Sequence, residues 1–470
     1  MSTTKEQQQI IDHMASNDDL VKVNATAGSG KTHLLVEISK QLKIKSGLYL
    51  AYNKSIATEA SRKFSSSIEC RTTHSLAYGN TVKPFKLKIG LFSYRTITEK
   101  IHYDLKCEIV STLKQFCLSK HTDFDDYAAE YETSTLVTKL TQKYLHQMQE
   151  GKIECTHDFY LKYFHLLLAS ESIEFEPFDI LMLDESGDLN EVTLQIFLLL
   201  PAHKKIAVGD KYQNIYTFNH TINAFEVLKD VGVEFSLSKS FRVSDKIASR
   251  IQSFLRMYID KKIMFSGIEY EDSTITTRAF IARTNSYLID KMIELNISSV
   301  PYGLVRKASD IFSLPLTVCS LAYQGDIKDR AYKHLQADID DWHETPELRD
   351  EFKTPYAYLT DAHSNDVPLL NAIRLVGKHG KSLVIDTYKT AKSHENLKCN
   401  LQLSTAHSCK GLEWDEVCLL EDMNKSIEEI ILALVEDSSY ELSDIEMESI
   451  FLYYVACSRA KKSLINGKYL

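Results

Sequence analysis

The sequence predicts an α/β fold with two parallel-sheet cores, each interrupted by a mainly helical insertion. Three observations carry this reading. Over residues 20–79, apolar strand-like runs alternate with helix-like segments, the rhythm of a parallel sheet covered by helices. From 80 to 175 the pattern changes to long helical spacing with many aromatics and few strand signals. Strand signals then return at 176–243, and again in two blocks, 244–300 and 399–470, that flank an irregular stretch at 301–398. The expected order is a first core (1–79 and 176–243) interrupted by an insertion (80–175). A second core (244–300 and 399–470) follows, interrupted by an insertion at 301–398.

The elements justify this in turn. LVKVNA (20–25) reads as a strand and THLLVEISKQL as the helix after it. GLYLAY (47–52) is a strand, followed by helical SIATEASRKF and then IECRTTHSLAY. ILMLD (180–184) and KKIAVGD (204–210) continue the first core. In the second core, TTRAFIAR is a strand and SYLIDKMIEL a helix. NLQLSTAH and EVCLLED are strands, and a helix runs through EMESIFLYYVACSRAKK.

Composition bounds the function. The chain has 470 residues, 44% hydrophobic and 25% charged, with a net charge of −9. That excludes a uniformly basic coat and leaves room for a local basic groove. The nine cysteines are scattered and odd in number, without a C-x-x-C pair. They read as reduced thiols of a cytoplasmic protein. The polar start MSTTKEQQQ is no secretory leader, and no apolar run suits a membrane span, so no membrane partner is expected.

ATAGSGKT (25–32) lies between a predicted strand and a predicted helix. Gly28 and Gly30 let the backbone turn so that its N–H groups face phosphate oxygens, and the helix adds its positive end. Ala25, Thr26, Ala27 and Ser29 complete the loop. Lys31 reaches the β- and γ-phosphates, and Thr32 is placed to ligate Mg²⁺. FDILMLDESGDLN (178–190) alone reads as an acidic strand end. Beside a phosphate loop it supplies Asp184 for the metal and Glu185 to orient the attacking water. ATP and Mg²⁺ are therefore the expected cofactors. VGDKYQNIYTF (208–218) puts Gln213 near the γ-phosphate and leaves Tyr216 and Phe218 to face a base, although single aromatics are more often core. Arg242 in SKSFRVS and Arg459 in YVACSRAKK are candidate arginine fingers, one from each core.

The order of these segments resembles the UvrD/Rep/PcrA group of superfamily 1A DNA helicases. KEQQQII resembles the glutamine motif, ATAGSGKT motif I, LAYNKSIATEA motif Ia, RTTHSLAY motif Ib and LDESGD motif II. VGDKYQNIYTF resembles motif III, SKSFRVS motif IV, LSTAHSCKGLEWDEV motif V and LYYVACSRAKK motif VI. The wording YNKSIA and the short length resemble F-box DNA helicase cores and small phage relatives. The resemblance implies two RecA-like cores, 1A and 2A, with insertions 1B and 2B. It implies that Gln7 reads adenine, Phe241 stacks on the base and Glu413 touches the ribose, with Gln213, Arg242 and Arg459 on the γ-phosphate. Asn53, Thr73, His74, Phe218, Thr405, His407 and Lys410 would lie along single-stranded DNA. The implied partners are single-stranded DNA and single–double-strand junctions, met as a monomer, with 3′→5′ travel.

The segment 83–100 is suited to a nucleic-acid surface: Lys83, Lys86, Lys88, Arg95 and Lys100 interleave with Phe85, Phe92 and Tyr94. An amphipathic surface segment explains it equally well. Three positions depart from the family pattern. Gly187 stands where motif II has glutamine, Asn219-His220 where motif III has Arg-Gly, and Ser458 where motif VI has threonine. The hydrolytic set is complete, so the departures bear on coupling to DNA, with Gln213 expected to carry more of that task. No nuclease-type acid cluster is expected, because the chain ends soon after motif VI.

Overall fold

The structure is a computed structural model that describes residues 3–215, 221–321, 332, 334–364, 366–395, 397–437 and 439–470. The chain divides into two units, 1–241 and 242–470.

Unit 1 is built on six parallel strands: β1 (Leu20–Ala25), β2 (Gly47–Ala51), β3 (Ile68–Thr72), β4 (Phe178–Leu183), β5 (Ala202–Gly209) and β6 (Val233–Leu237). Their order across the sheet is β3-β2-β4-β5-β1-β6. β2 is buried at every position and β1 at all but its first, which is why both read as near-continuous apolar runs rather than alternating ones. α1 (Lys5–Ser16) starts with a reciprocal capping box between Thr4 and Gln7 and packs Ile10, Ile11 and Met14 inward. α2 (Lys31–Gln41) follows β1, α3 (Lys54–Ala60) follows β2 and α4 (Thr73–Asn80) follows β3.

The insertion of unit 1 is helical, chiefly Tyr103–Leu118, Phe124–Glu130, Thr135–Gln149 and His157–Ala169. Thr135–Gln149 buries Val137, Leu140, Thr141, Tyr144 and Met148, the spacing of one helix face. The 83–100 segment divides. Phe92 is buried against Tyr144, 5.1 Å between ring centroids. Phe85 stays half exposed, and Arg95 lies over the Tyr94 ring at 5.5 Å. So Phe92 is core, while Phe85, Tyr94 and Arg95 remain at the surface.

Unit 2 carries five parallel strands: β7 (Arg278–Ala282), β8 (Gly303–Leu304), β9 (Leu401–Thr405), β10 (Trp414–Leu419) and β11 (Ala460–Ile465), in the order β8-β9-β7-β10-β11. The stretch 301–398, irregular by sequence, is largely helical: Ala308–Leu321, His334–Glu344, Pro346–Glu351, Pro355–Ala362, Val367–His379 and Lys381–His394. Proline explains the disguise. Pro315 sits inside one helix, and three others carry proline in their first turn, where it ends the preceding periodicity while permitting a new start.

Candidate functional site

In unit 1, β1 runs directly into the loop Ala25, Thr26, Ala27, Gly28, Ser29, Gly30, and α2 begins at Lys31. Gly28 and Gly30 have φ of 75° and 84°, a backbone that side chains with a Cβ rarely adopt. The loop is tied down behind: Thr26 N and Oγ1 donate to Leu237 O (3.1 and 3.0 Å), and Ser240 Oγ donates to Ala27 O (2.7 Å). Phe241 N donates to Gly28 O (2.8 Å), which brings its ring beside Gly30. Gln7 is buried on the same glycine. Its Oε1 accepts from Thr4 N, while its Nε2 has no hydrogen-bond partner, and neither has Ser29 Oγ. A buried unpaired donor beside an aromatic ring and a phosphate loop fits the ring nitrogen and face of a purine. The residues present therefore fit ATP.

The acids come from β4. Asp184 is buried and Glu185, just beyond it, takes a left-handed φ of 54°, a strain of about 1 kcal/mol or more for a residue with a Cβ. Lys31 Nζ meets Glu185 Oε1 at 3.1 Å. β4 and β1 are separated by one strand, β5, hence about 10 Å, a gap that an extended lysine spans. Burial opposes the charge on Lys31, but the Glu185, Asp184 and Asp210 carboxylates outweigh it and hold the ammonium above its ordinary value. Burial, then repulsion from Glu185, raises Asp184 despite Lys31. Among the described residues no group of three or more His, Cys, Asp or Glu gathers to hold a metal alone. A Mg²⁺ here would rest on Thr32, Asp184 and the nucleotide's own phosphates.

β5 ends between these two loops, and that position explains Gly187. Ser186 N donates to Val208 O (2.9 Å), so the turn after β4 folds over the end of β5. A Cβ on Gly187 would lie 2.4 Å from Asp210 O, and one on Gly209 would lie 2.6 Å from Gly187 N. The motif II and motif III backbones touch directly, and neither glycine has room for a side chain without moving its neighbour. Gly187 is therefore a close-approach residue and not simply a missing glutamine. Gln213 Nε2 donates to Asp210 Oδ2 (2.8 Å), which places its amide on the same junction. Tyr216 and Phe218, and the departures Asn219 and His220, lie outside the described residues.

On the far side of Asp184 a cavity of about 350 Å³ is lined by Ala51, Tyr52, Thr73, His74, Asp184 and Asp188 among others. Thr73 is buried at the start of α4. His74 stands edge-on to Tyr160 at 5.9 Å, and burial keeps its ring below the ordinary histidine value. Asn53 is exposed and caps α3 by accepting from Ile56 N (2.9 Å). In unit 1 the structure thus brings the phosphate loop, the acids and the Thr73–His74 pair to the carboxyl ends of one sheet, where open α/β sheets bind ligands.

In unit 2, Thr405 ends β9 and shares a hydrogen bond with Ser408 (2.9 Å). His407 Nε2 lies 3.7 Å from Glu448 Oε1. Lys410 follows in the same half-buried turn. Arg242 Nε pairs with Glu413 Oε2 at 2.7 Å, and Lys461 lies 3.9 Å from Glu413 Oε1, so the expected ribose contact is engaged with cations of its own unit. Arg459 is buried, with Nε on Val455 O (2.9 Å), Nη2 on Ser458 Oγ (2.9 Å) and Nη1 on Leu412 O (3.4 Å). Its guanidinium ties a helix end to the turn before β10.

Sequence reasoning missed two groups. Arg283 and Asn285 follow β7, and Arg283 Nη1, Asn285 Oδ1 and Asp422 Oδ1 have no hydrogen-bond partner. The signal was available: Arg-Thr-Asn directly after an apolar strand. The other is Tyr49, in the middle of β2, whose hydroxyl donates to Asp184 Oδ2. Burial, then the Asp184 carboxylate, pushes this phenol far above its ordinary value, so it remains a donor.

A phosphate loop answered by a strand-end Asp-Glu, followed in sequence by a second parallel-sheet unit, is the arrangement of two-core P-loop motors, and two domain matches place the chain among the UvrD-like helicases of superfamily 1. Residues 7–219 match the AAA domain family and residues 338–467 the UvrD-like helicase C-terminal domain. Among individual proteins, it is similar to F-box DNA helicase protein 1 of Schizosaccharomyces pombe, 24% identical over 98% of this chain and 57% of that protein. It is likewise similar to F-box DNA helicase 1 of Gallus gallus, 25% identical over 99% of this chain and 49% of that protein. The chain thus spans about half the length of these relatives. No helix among the described residues is long and apolar enough to cross a membrane.

Proposed function

We propose that the chain is an ATP-driven motor on single-stranded DNA that travels 3′→5′ and separates duplex strands, acting as a cytoplasmic monomer at single–double-strand junctions. One observation carries the coupling of nucleotide to DNA in this reading, while the direction of travel comes from the family resemblance. Asp184, at the hydrolytic site, and Thr73 and His74, the motif Ib candidates for DNA, line the same cavity. A change at the phosphates reaches the strand-binding surface through one layer of side chains.

The local chemistry follows from the ion pair. Lys31 Nζ lies 3.1 Å from Glu185 Oε1. Phosphate oxygens compete for the ammonium, and Glu185 is released to orient a water and accept its proton. Mg²⁺, when bound, neutralises charge on the β- and γ-phosphates. Gln7 Nε2 and the Phe241 ring select the base. Asn53 and His74 on one unit, and Thr405, His407 and Lys410 on the other, contact the strand.

A second reading is a remodeller that moves along DNA or strips proteins from it without separating strands. Gly187 favours it, because the position that carries the motif II glutamine in the family has no side chain here to couple the nucleotide site to DNA. Both readings are tested by strand displacement on duplexes with 3′ or 5′ single-stranded tails, beside ATP turnover with and without single-stranded DNA. The motor reading expects turnover strongly stimulated by DNA and opening of the 3′-tailed duplex. Equal turnover with and without DNA overturns it, and opening of the 5′-tailed duplex alone overturns the direction. ATP-dependent ejection of streptavidin from a biotinylated strand, with the duplex left closed, selects the remodeller.

A further inference from the structure

β2 carries one polar side chain in an otherwise small and aliphatic strand, Gly-Leu-Tyr-Leu-Ala. Tyr49 is 0% exposed. A phenol removed from water needs a partner, since a hydrogen bond left unmade in the interior is destabilising. A leucine would have filled this position without that requirement. The partner found is Asp184 Oδ2.

Strand register makes the contact. Tyr49 pairs across the sheet with Met182, and Asp184 N donates to Leu50 O at 3.0 Å. The carboxylate is thereby carried to the hydroxyl. Its other oxygen, Oδ1, accepts from Glu185 N at 2.9 Å. Each oxygen of Asp184 thus has a fixed donor, one from the neighbouring strand and one from the next residue. A carboxylate held at both oxygens cannot turn about its last bond.

We infer that Tyr49 is a positioning residue for nucleotide hydrolysis: its hydroxyl locks the Asp184 carboxylate in the orientation that presents the remaining lone pairs to Mg²⁺ or to a water on it. The inference rests on the proposed ATP hydrolysis and assigns its cation site a buried support from β2. The Tyr49 ring also packs on Phe64, 5.3 Å between centroids. Tyr49→Phe keeps that contact and removes only the hydroxyl.

The test is a Mg²⁺ titration of fluorescent N-methylanthraniloyl-ADP binding to wild type, Tyr49→Phe, Asp184→Asn and the double variant, with thermal melting of each. In Tyr49→Phe the affinity without Mg²⁺ stays at the wild-type value, and the melting temperature falls by no more than about 5 °C, the effect of one buried acceptor left without its donor. The Mg²⁺ concentration for half-maximal tightening rises about tenfold, the effect typical of losing an outer partner of a metal ligand. In the Asp184→Asn background the same substitution adds nothing. Superimposable titrations of wild type and Tyr49→Phe overturn the inference, as does an equal shift in the Asp184→Asn background. Loss of binding with and without Mg²⁺ alike also overturns it, because the hydroxyl would then hold the fold. A wild type whose nucleotide binding ignores Mg²⁺ overturns the hydrolysis reading beneath it.

Discussion

Two mostly buried lysines of unit 1, one in the phosphate loop and one in the helical insertion, have opposite electrostatic fates. Lys31 has carboxylates around it, and they hold its charge against the pull of burial. Among the described residues Lys162 has no carboxylate in ion-pair contact, and Glu191 acts on it only from farther away. Its Nζ donates to Ser119 O (2.9 Å) and His121 O and lies 4.4 Å over the Phe116 ring. Burial there wins and brings the amine down to about 8. Lys162 closes the carboxyl end of the helix Tyr103–Leu118, where unpaired carbonyls gather. Burial alone does not mark a functional lysine. Its company does: three carboxylates assembled around a lysine against desolvation are the arrangement expected where a charged ligand binds.

The same substitution at both positions sharpens this contrast most. Lys31→Met is expected to lower ATP turnover by about three orders of magnitude, since the group removed stabilises charge in the transition state. Lys162→Met is expected to leave turnover within about twofold and to lower unfolding stability by roughly 1–3 kcal/mol, as two carbonyls lose their donor. Turnover assays and denaturant titrations check the pair, and a large turnover loss in Lys162→Met would break the distinction.

Next in size is Gly187→Gln, which restores the residue usual in the family. The Cβ would meet Asp210 O, so the expected outcome is a stability loss of about 1–3 kcal/mol and slower turnover. Tighter coupling of turnover to strand separation, with unchanged stability, would show that the junction yields.

The smallest effect is a pH dependence from the insertion. His165 is buried one helical turn from Lys162, and burial, then the Lys162 charge, brings it down to about 4. The folded state keeps it neutral while the unfolded chain protonates it near 6.5. The unfolded state therefore binds more protons between about 6.5 and 4, and stability falls as pH falls through that window, by at most about 3 kcal/mol. His165→Phe is expected to flatten the fall, as measured by urea unfolding at several pH values. An equally steep fall in the variant would assign it to other groups.

Much of the candidate site was legible because it is local in sequence. Gly28, Gly30, Lys31 and Thr32 are contiguous, and Asp184-Glu185 closes an unmistakable apolar run. Other features were hidden by distance. Tyr49 reads as an ordinary strand aromatic, and its partner lies 135 residues away. Gly187 reads as a gap until β5 is known to end beneath it. Arg459 reads as a phosphate contact, and its hydrogen bonds to Val455 O, Ser458 Oγ and Leu412 O within unit 2 were not announced by any local pattern. The helices of 301–398 were masked by prolines that restart the period.

The sequence by itself determined the family, the α/β class and the phosphate loop. Each depends on short runs whose backbone needs, such as a left-handed glycine or a buried strand, are set by the residues in them. Only the tertiary structure decided which side chains support those runs. Strand order placed β5 between β4 and β1, and strand register brought the Tyr49 hydroxyl to Asp184. Contacts of that kind join residues far apart in the chain, and no local periodicity records them.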